Sequence, residues 1–448
     1  MPGEFTVVNL TAKFGVLDLP GANIDHVGKS KAAAAKRGNL TRLNKESGDR
    51  QETSSAALIG GQFTPTVDLS LYLNRSEIFE RLWATKQAAV NAMPDTPIKI
   101  TLPNGDVKAG VAFKTTALDI ATAISKGLAD AVIIAKVLYS SRLEEDTIVA
   151  CDEGEDAENA LADANSCGTN GSDGELWDLN RPLIGDCQLQ LLKYEDPESQ
   201  TVFWHSSAHV LGAALEATYG SHLTIGPPIQ SGFYYDSYMG NMAVGDEDLK
   251  KIESKASDIC KRKFPFQRLV ITKSQALEMF ATNPFKVNLI ISKIPDGSMT
   301  TVYKCGPLID LCMGPHLPNT GKIKAFAATK SSATTWLGQA TNDPLQRVYG
   351  ISFPNKEELK RWQEFQEQAK QRDHRTVGTR QELFFFHQLS PGSCFWLPHG
   401  ARVYNKLCDF IRAQYWKRGF QEVITPNIFN LQVGFLNPLS HTPSYLHP

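Results

Sequence analysis

Two short segments, His205-Ser-Ser-Ala-His209 and Cys312-Met-Gly-Pro-His316, constrain the fold of this chain more than any other feature. They lie 107 residues apart, and each ends in a histidine four positions after a His or Cys. On a helix, positions i and i+4 share a face, so His205 and His209 project toward one small volume. The second pair cannot be helical, because Gly314 and Pro315 stand between its members. The chain is therefore expected to set a helix facing a tight loop, the two segments together offering one thiol and three imidazoles; spacing alone does not bring the four groups to one place. At about 100° per residue, His209, Gly212 and Glu216 fall in one stripe with His205, while Trp204, Ala208, Leu211 and Leu215 form an adjacent apolar stripe. The histidines are thus predicted to lie off the main apolar face. A lone His-x-x-x-His is more often a surface or satisfied core pair than a site; the second pair, at loop spacing, makes this one a candidate.

A chain of 448 residues with 42% hydrophobic content and no apolar run of membrane-spanning length suggests roughly three domains and no membrane partner. The opening residues 1–20 lack a charged leader, apolar core and cleavage site, so no secretory signal is expected. Eight cysteines without a Cys-x-x-Cys pair fit reduced thiols in a cytoplasmic protein better than a disulfide framework. Net charge of -2 conceals two local asymmetries. Val27 to Arg50 carries seven Lys/Arg in a Gly/Ala/Asn/Ser setting, a basic arm able to touch phosphates or to remain a solvated tail. Gly28-Lys29-Ser30 within it is not a phosphate-binding loop, since Asn23 stands where the first glycine is required. Glu144 to Asp178 carries twelve Asp/Glu and no Lys or Arg, and is expected not to order itself.

That acidic stretch interrupts a small compact unit. Leu73 to Met93 reads as a lead-in helix, and Pro97 to Leu102 with Asn104-Gly105 as a strand and a type I′ hairpin turn. Thr116 to Leu128 reads as one amphipathic helix with Ile120, Ala121 and Ile124 on its apolar side, followed by strands at Ala131 to Val137 and Cys187 to Leu192. This is a β-grasp pattern with an insertion at 141–175. From Thr201 to Phe353 the pattern becomes mixed α/β, with turns around Gly226 to Asp236. Asn355 to Arg375 reads as a solvated helix over Leu359, Trp362 and Phe365, and Gly400 to Arg418 as a long amphipathic helix exposing Val403, Leu407, Phe410 and Ile411.

The order of β-grasp unit, HSSAH helix (205–209), GFYYD turn (232–236), NPFK (283–286), DLCMGPH loop (310–316), linker helix, SPGSCFWLPHGA (390–401) and GFQEVITP (419–426) resembles eukaryotic cytoplasmic threonyl-tRNA synthetases over roughly residues 73 to 430. The resemblance implies an α+β multidomain fold. It divides the chain into a basic extension (1–72), a lead-in helix and TGS β-grasp domain (73–195), an α/β editing domain (196–353), a linker helix (354–380), the antiparallel-sheet start of a class II catalytic domain with motif 1 ending at Pro426 (381–430), and an unrelated tail (431–448). In this family the second domain hydrolyses serine wrongly attached to threonine tRNA, and motif 1 builds a homodimer interface.

Carried over residue by residue, the editing pocket falls on His205, His209, Lys286, Asp310, Cys312 and His316, with Gly226 and Tyr235 binding substrate. Ester hydrolysis needs a placed water, a base or cation favouring its attack, and donors for the developing oxyanion. Lys286 and His205 are assigned to the water, His209, Cys312 and His316 to pocket shape and the aminoacyl and ribose groups, and Asp310 to the amino group or to orienting a partner. Zinc on His205, His209, Cys312 and His316 is the minority alternative, because one Cys and three His form an acceptable tetrahedral set.

Two departures from the family stand out. Met313 replaces a usually basic residue, and the tail after Asn430 contains no Asp, Glu, Lys or Arg. Motifs 2 and 3, the zinc ligands of the catalytic domain and the anticodon-binding domain are not found, so ATP, magnesium and catalytic zinc are expected only in a full-length family member. A truncated synthetase retaining editing is the first reading; a non-catalytic tRNA-binding or interaction product is the second, and a zinc hydrolase with another substrate the third.

Overall fold

The computed structural model describes residues 58–63, 65, 69–143, 148 and 174–424 of the chain. The basic arm, most of the acidic insertion, the end of motif 1 at Pro426 and the tail 431–448 lie outside the described residues. The described residues form an α+β multidomain protein, and none of their helices is long and apolar enough to cross a membrane.

The first unit is a five-stranded mixed sheet of β1 (Pro97–Thr101), β2 (Val107–Val111), β3 (Val132–Tyr139), β4 (Glu175–Trp177) and β5 (Cys187–Lys193), in the order β2-β1-β5-β3-β4. β1 runs antiparallel to β2 and parallel to β5, the mixed pairing expected of a β-grasp sheet. The β1–β2 turn differs from the type I′ expectation. Gly105 N–H donates to Leu102 O at 2.9 Å, so the turn's central residues are Pro103 and Asn104, and only Gly105 has positive φ, at 87°. Proline fixes φ negative and so excludes the mirror-image turn.

The single helix expected from Thr116 to Leu128 is two helices, Ala117–Ile124 and Lys126–Ala131. Ser125 is extended between them, at φ -166°, and caps the second by accepting from Leu128 N–H. The break carries Ile124 out to 44% exposure, leaving Ile120 and Ala121 in the core. Thr116 and Asp119 close a capping box over the first helix, each side chain accepting the other's backbone N–H.

The second unit is built around one long helix, Pro197–Tyr219, started by Pro197 in its first turn and stopped by Gly220 in the left-handed region at φ 64°. It packs on the sheet β12-β13-β8-β6, with β7 pairing β8; these strands are β6 (His222–Leu223), β7 (Pro228–Ile229), β8 (Gly232–Tyr238), β12 (Ala325–Thr335) and β13 (Pro344–Phe353). Helix Asp246–Lys261 and β11 (Leu308–Leu311) also touch it, and Ile133, Ile134 and Leu192 of the first unit join its core. Enclosure on all sides corrects the expectation that the histidines lie off the apolar face: every residue from His205 to Glu216 is buried.

A three-stranded sheet, β11-β10-β9, with β9 at Phe266–Thr272 and β10 at Met299–Cys305, completes this unit. The lead-in helix, Leu69–Ala92, packs here and not on the first sheet, burying Ile78 and Phe79 with Leu269, Ile271, Phe280 and Leu311. Arg75 of that helix meets Glu216 at 2.8 Å.

Beyond β13 come the helices Lys356–Gln371 and His374–Arg380, a hairpin of β14 (Phe384–Phe386) and β15 (Cys394–Trp396), and the helix Pro398–Lys417. Phe365, expected beneath the first of these helices, is 62% exposed, while Leu359 and Trp362 are half-buried. The last helix exposes Val403, Leu407, Phe410 and Ile411, as its sequence pattern implies.

Candidate functional site

Four elements converge on one buried volume. Helix Pro197–Tyr219 supplies His205 and His209 on adjacent turns, and β8 supplies Tyr235. Helix Pro284–Lys293 supplies Lys286 from its first turn, where Asn283 Oδ1 accepts from the N–H groups of Phe285 and Lys286 and fixes how the helix begins. β11 delivers Asp310, and the loop that follows carries Cys312 and His316. All six expected catalytic residues are therefore brought together, and each is at most 5% exposed.

Asp310 is the hub. Its Oδ1 lies 2.7 Å from Lys286 Nζ, and its Oδ2 lies 3.3 Å from His209 Nδ1 and accepts the Tyr235 hydroxyl. Gly226 explains Tyr235's position, since a Cβ at residue 226 would sit 2.2 Å from the Tyr235 ring. Gly212 meets the same ring from the helix, where a Cβ would sit 2.7 Å away.

The other half of the cluster is organised by proton accounting. Ser206 has one hydroxyl proton, donated to Val202 O at 2.8 Å, and it accepts from Leu317 N–H at 3.0 Å. Its remaining contact, 3.1 Å to His316 Nδ1, then requires the proton to sit on that ring nitrogen. His316 Nε2 is left with its lone pair facing Cys312 Sγ at 3.1 Å. Cys312 Sγ also lies 3.3 Å from His205 Nε2 and accepts from Gly314 N–H at 3.3 Å. His205 Nδ1 is buried with no hydrogen-bond partner among the described residues, which leaves it able to bond a substrate or a water.

Burial, reinforced by the neighbouring His209, lowers His205 to about 3. His316 is driven well below the ordinary histidine range by burial and by His205 and His209. Burial pushes Asp310 upward, but the Lys286 charge and the His209 bond outweigh it and hold the carboxyl well below the usual carboxylate range. Tyr235 is held well above its ordinary value by burial and the Asp310 charge. At neutral pH the pocket thus sets two neutral imidazoles beside a fixed carboxylate.

Two contributors had no signal in the sequence. Asp178, counted there among the acidic residues, is buried; it accepts from His316 N–H at 2.6 Å and from the Tyr303 hydroxyl at 2.7 Å. Tyr303 stands edge-on to the His316 ring, with centroids 4.5 Å apart. Ser206 lay inside a motif already singled out, and its place next to a candidate histidine was the available hint. Met313, in place of a basic residue, is half-buried with its sulfur 3.4 Å from Thr301 Oγ1.

Comparison with known proteins places these domains. Residues 98–193 match the TGS domain family, and residues 300–349 match the threonyl and alanyl tRNA synthetase second additional domain. The chain is 49% identical over 356 residues to the cytoplasmic threonine–tRNA ligase of Caenorhabditis elegans, covering 80% of this chain and 44% of that protein. Over 80% of its length this chain is homologous to threonine–tRNA ligases. The human cytoplasmic threonine–tRNA ligase 1 is 49% identical over 334 residues, 75% of this chain and 41% of the ligase. A probable cytoplasmic threonine–tRNA ligase of Dictyostelium discoideum is 48% identical over 356 residues, 80% of this chain and 45% of the ligase. The chain spans less than half the length of these ligases. All six residues of the buried cluster lie in the unit that contains the second additional domain match.

The ligand atoms of His205, His209, Cys312 and His316 lie within 4.8 Å of one another, so this homologue of the ligases holds a donor set that fits a tetrahedral cation. Cys312 Sγ faces His205 Nε2 and the unprotonated His316 Nε2, which is consistent with that fit. If zinc were bound, these four side chains would hold it, and it would supply Lewis-acid polarisation of a carbonyl or a water.

Proposed function

We propose that the pocket hydrolyses the ester of serine wrongly joined to threonine tRNA, within a cytoplasmic threonine–tRNA ligase whose charging activity, tRNA partner and homodimer are part of the same reading. The observation that carries it is the buried Lys286–Asp310 pair beside His205, His209 and Tyr235. Hydrolysis of an aminoacyl ester adds water across the acyl bond, releasing the amino acid and a ribose hydroxyl. The Lys286 ammonium supplies positive charge for the carbonyl oxygen as it becomes an oxyanion. His205, lowered to about 3, is too weak a base to strip a proton at neutral pH and serves as a neutral group that orients the water. Asp310, already bonded to Lys286, His209 and Tyr235, orients these partners and is less suited to gripping the substrate's amino group. His209, Cys312 and His316 line the pocket around the acyl and ribose groups.

Selectivity follows from size. Serine lacks only threonine's methyl, worth roughly 1–3 kcal/mol in a single binding site, so a second pocket that excludes the methyl is needed. The Tyr235 wall, jammed against Gly226 and Gly212, has little room to yield. Incubation of the purified chain with seryl- and threonyl-tRNA tests the proposal: seryl-tRNA should be deacylated and threonyl-tRNA spared. Equal survival of both would sink it.

The zinc reading keeps a place because of the four-donor cluster. The metal-free pocket is preferred because the thiol already meets two imidazoles and a backbone N–H, and because Lys286 provides the cation.

A further inference from the structure

His316 is held from outside its own domain. Asp178 follows β4 of the TGS domain, yet its carboxylate bonds both the backbone N–H of His316 and the hydroxyl of Tyr303. The Tyr303 hydroxyl in turn fills the space beside Gly314, where a Cβ would sit 2.2 Å from it. Two residues further on, Asn180 Nδ2 donates to Pro318 O at 2.7 Å. The segment from His316 to Pro318 is thus bonded at both ends by side chains of the TGS domain.

We propose that Asp178, assisted by Asn180, is a positioning residue for the hydrolytic pocket, so that the TGS domain sets where Cys312 and His316 stand. The loop needs such a support. Residues 312–317 belong to no helix or strand, and Gly314 has φ of 77°. An acceptor for the buried His316 N–H must therefore come from elsewhere. Lys322 makes an interdomain contact that lies apart from this loop: its Nζ donates to Ala129 O at 2.9 Å and Asp130 O at 2.7 Å. Neither of these bonds involves the 312–318 loop, so Lys322 separates positioning from adhesion.

The kinetic arm of the test rests on the seryl-tRNA reading; hydrogen exchange of the 312–318 peptide does not. Both are measured on the full chain. Asp178→Ala should speed exchange in that peptide and slow single-turnover deacylation roughly 10- to 100-fold with the half-saturating tRNA concentration unchanged. Asp178→Asn should restore both, since its amide oxygen can accept from His316 N–H and its NH2 can donate to the Tyr303 oxygen. Lys322→Met should change neither.

Wild-type exchange and deacylation in Asp178→Ala would overturn the proposal, as would a Lys322→Met variant that behaves like Asp178→Ala, or an Asn variant as impaired as the Ala variant. If Asp178→Ala does not fold, Asn180→Ala decides: it removes the TGS bond to Pro318 O, and unchanged exchange and rate would overturn the proposal. If the wild-type chain leaves seryl-tRNA intact, the editing reading falls while the exchange data still decide the role of Asp178.

Discussion

Lys286 Nζ lies 2.7 Å from Asp310 Oδ1, with both side chains 2% exposed. A buried pair of this kind stabilises little compared with an apolar pair, but removing one partner strands the other's charge. Lys286→Ala is expected to lower stability by about 3 kcal/mol and deacylation by roughly 100-fold or more. Thermal melts and single-turnover assays on the same preparation check both. Retention of wild-type deacylation would remove Lys286 from the chemistry.

Gly226→Ala tests the Tyr235 wall. The added Cβ would lie 2.2 Å from a ring that is itself 1% exposed, so the ring must move and its bond to Asp310 must stretch. Overpacking of this kind costs roughly 1–3 kcal/mol. The expected result is a lower melting temperature together with slower deacylation; an unchanged melting temperature would show that the wall yields.

Ser206→Ala removes the acceptor shared by His316 Nδ1–H and Leu317 N–H while changing volume little. Leaving buried donors unpaired costs about 1–3 kcal/mol. The expected kinetic signature is a lower kcat with a nearly constant KM, because the substrate-facing surface is intact while the His316 tautomer is released. A variant with wild-type kcat would show that the tautomer is not used.

Metal content separates the two readings of the cluster. Protein prepared without added metal is expected to carry less than one zinc per chain and to deacylate equally well with or without a chelator. Stoichiometric zinc whose removal abolishes activity would establish the cation site on His205, His209, Cys312 and His316.

Arg75 and Glu216 join the lead-in helix to the central helix at 2.8 Å, with side chains 12% and 11% exposed. Burial raises the Glu216 carboxyl and Arg75 opposes it. Arg75→Ala should destabilise the protein by roughly 2–3 kcal/mol. Proteolysis within 69–92 at unchanged global stability would instead indicate that the pair holds only that helix.

Half of the pocket was legible in local sequence, because the two four-spaced pairs mark His205, His209, Cys312 and His316; Lys286, Asp310, Gly226 and Tyr235 carry no such spacing and came only through the family resemblance. What surrounds the pocket was not legible. Periodicity placed His205 and His209 off the apolar face because it describes an amphipathic helix with one wet side, whereas this helix is enclosed by a sheet, a second helix and the first domain. Ser125 looked like helix interior because a cap and an interior residue share composition; only its extended backbone separates them. Asp178 was unreadable because its partners, Tyr303 and His316, lie 125 and 138 residues away.

The lead-in helix has a consequence for synthesis. Its residue Lys86 bonds Arg268 O, 182 residues further along, and Ile78 and Phe79 pack against strands that follow the entire TGS domain. At translation rates of about 5–20 residues per second, this apolar face emerges on the order of ten seconds or more before its partners exist. The TGS sheet draws all five of its strands from residues before 194, so it can close while the helix is left waiting at its side.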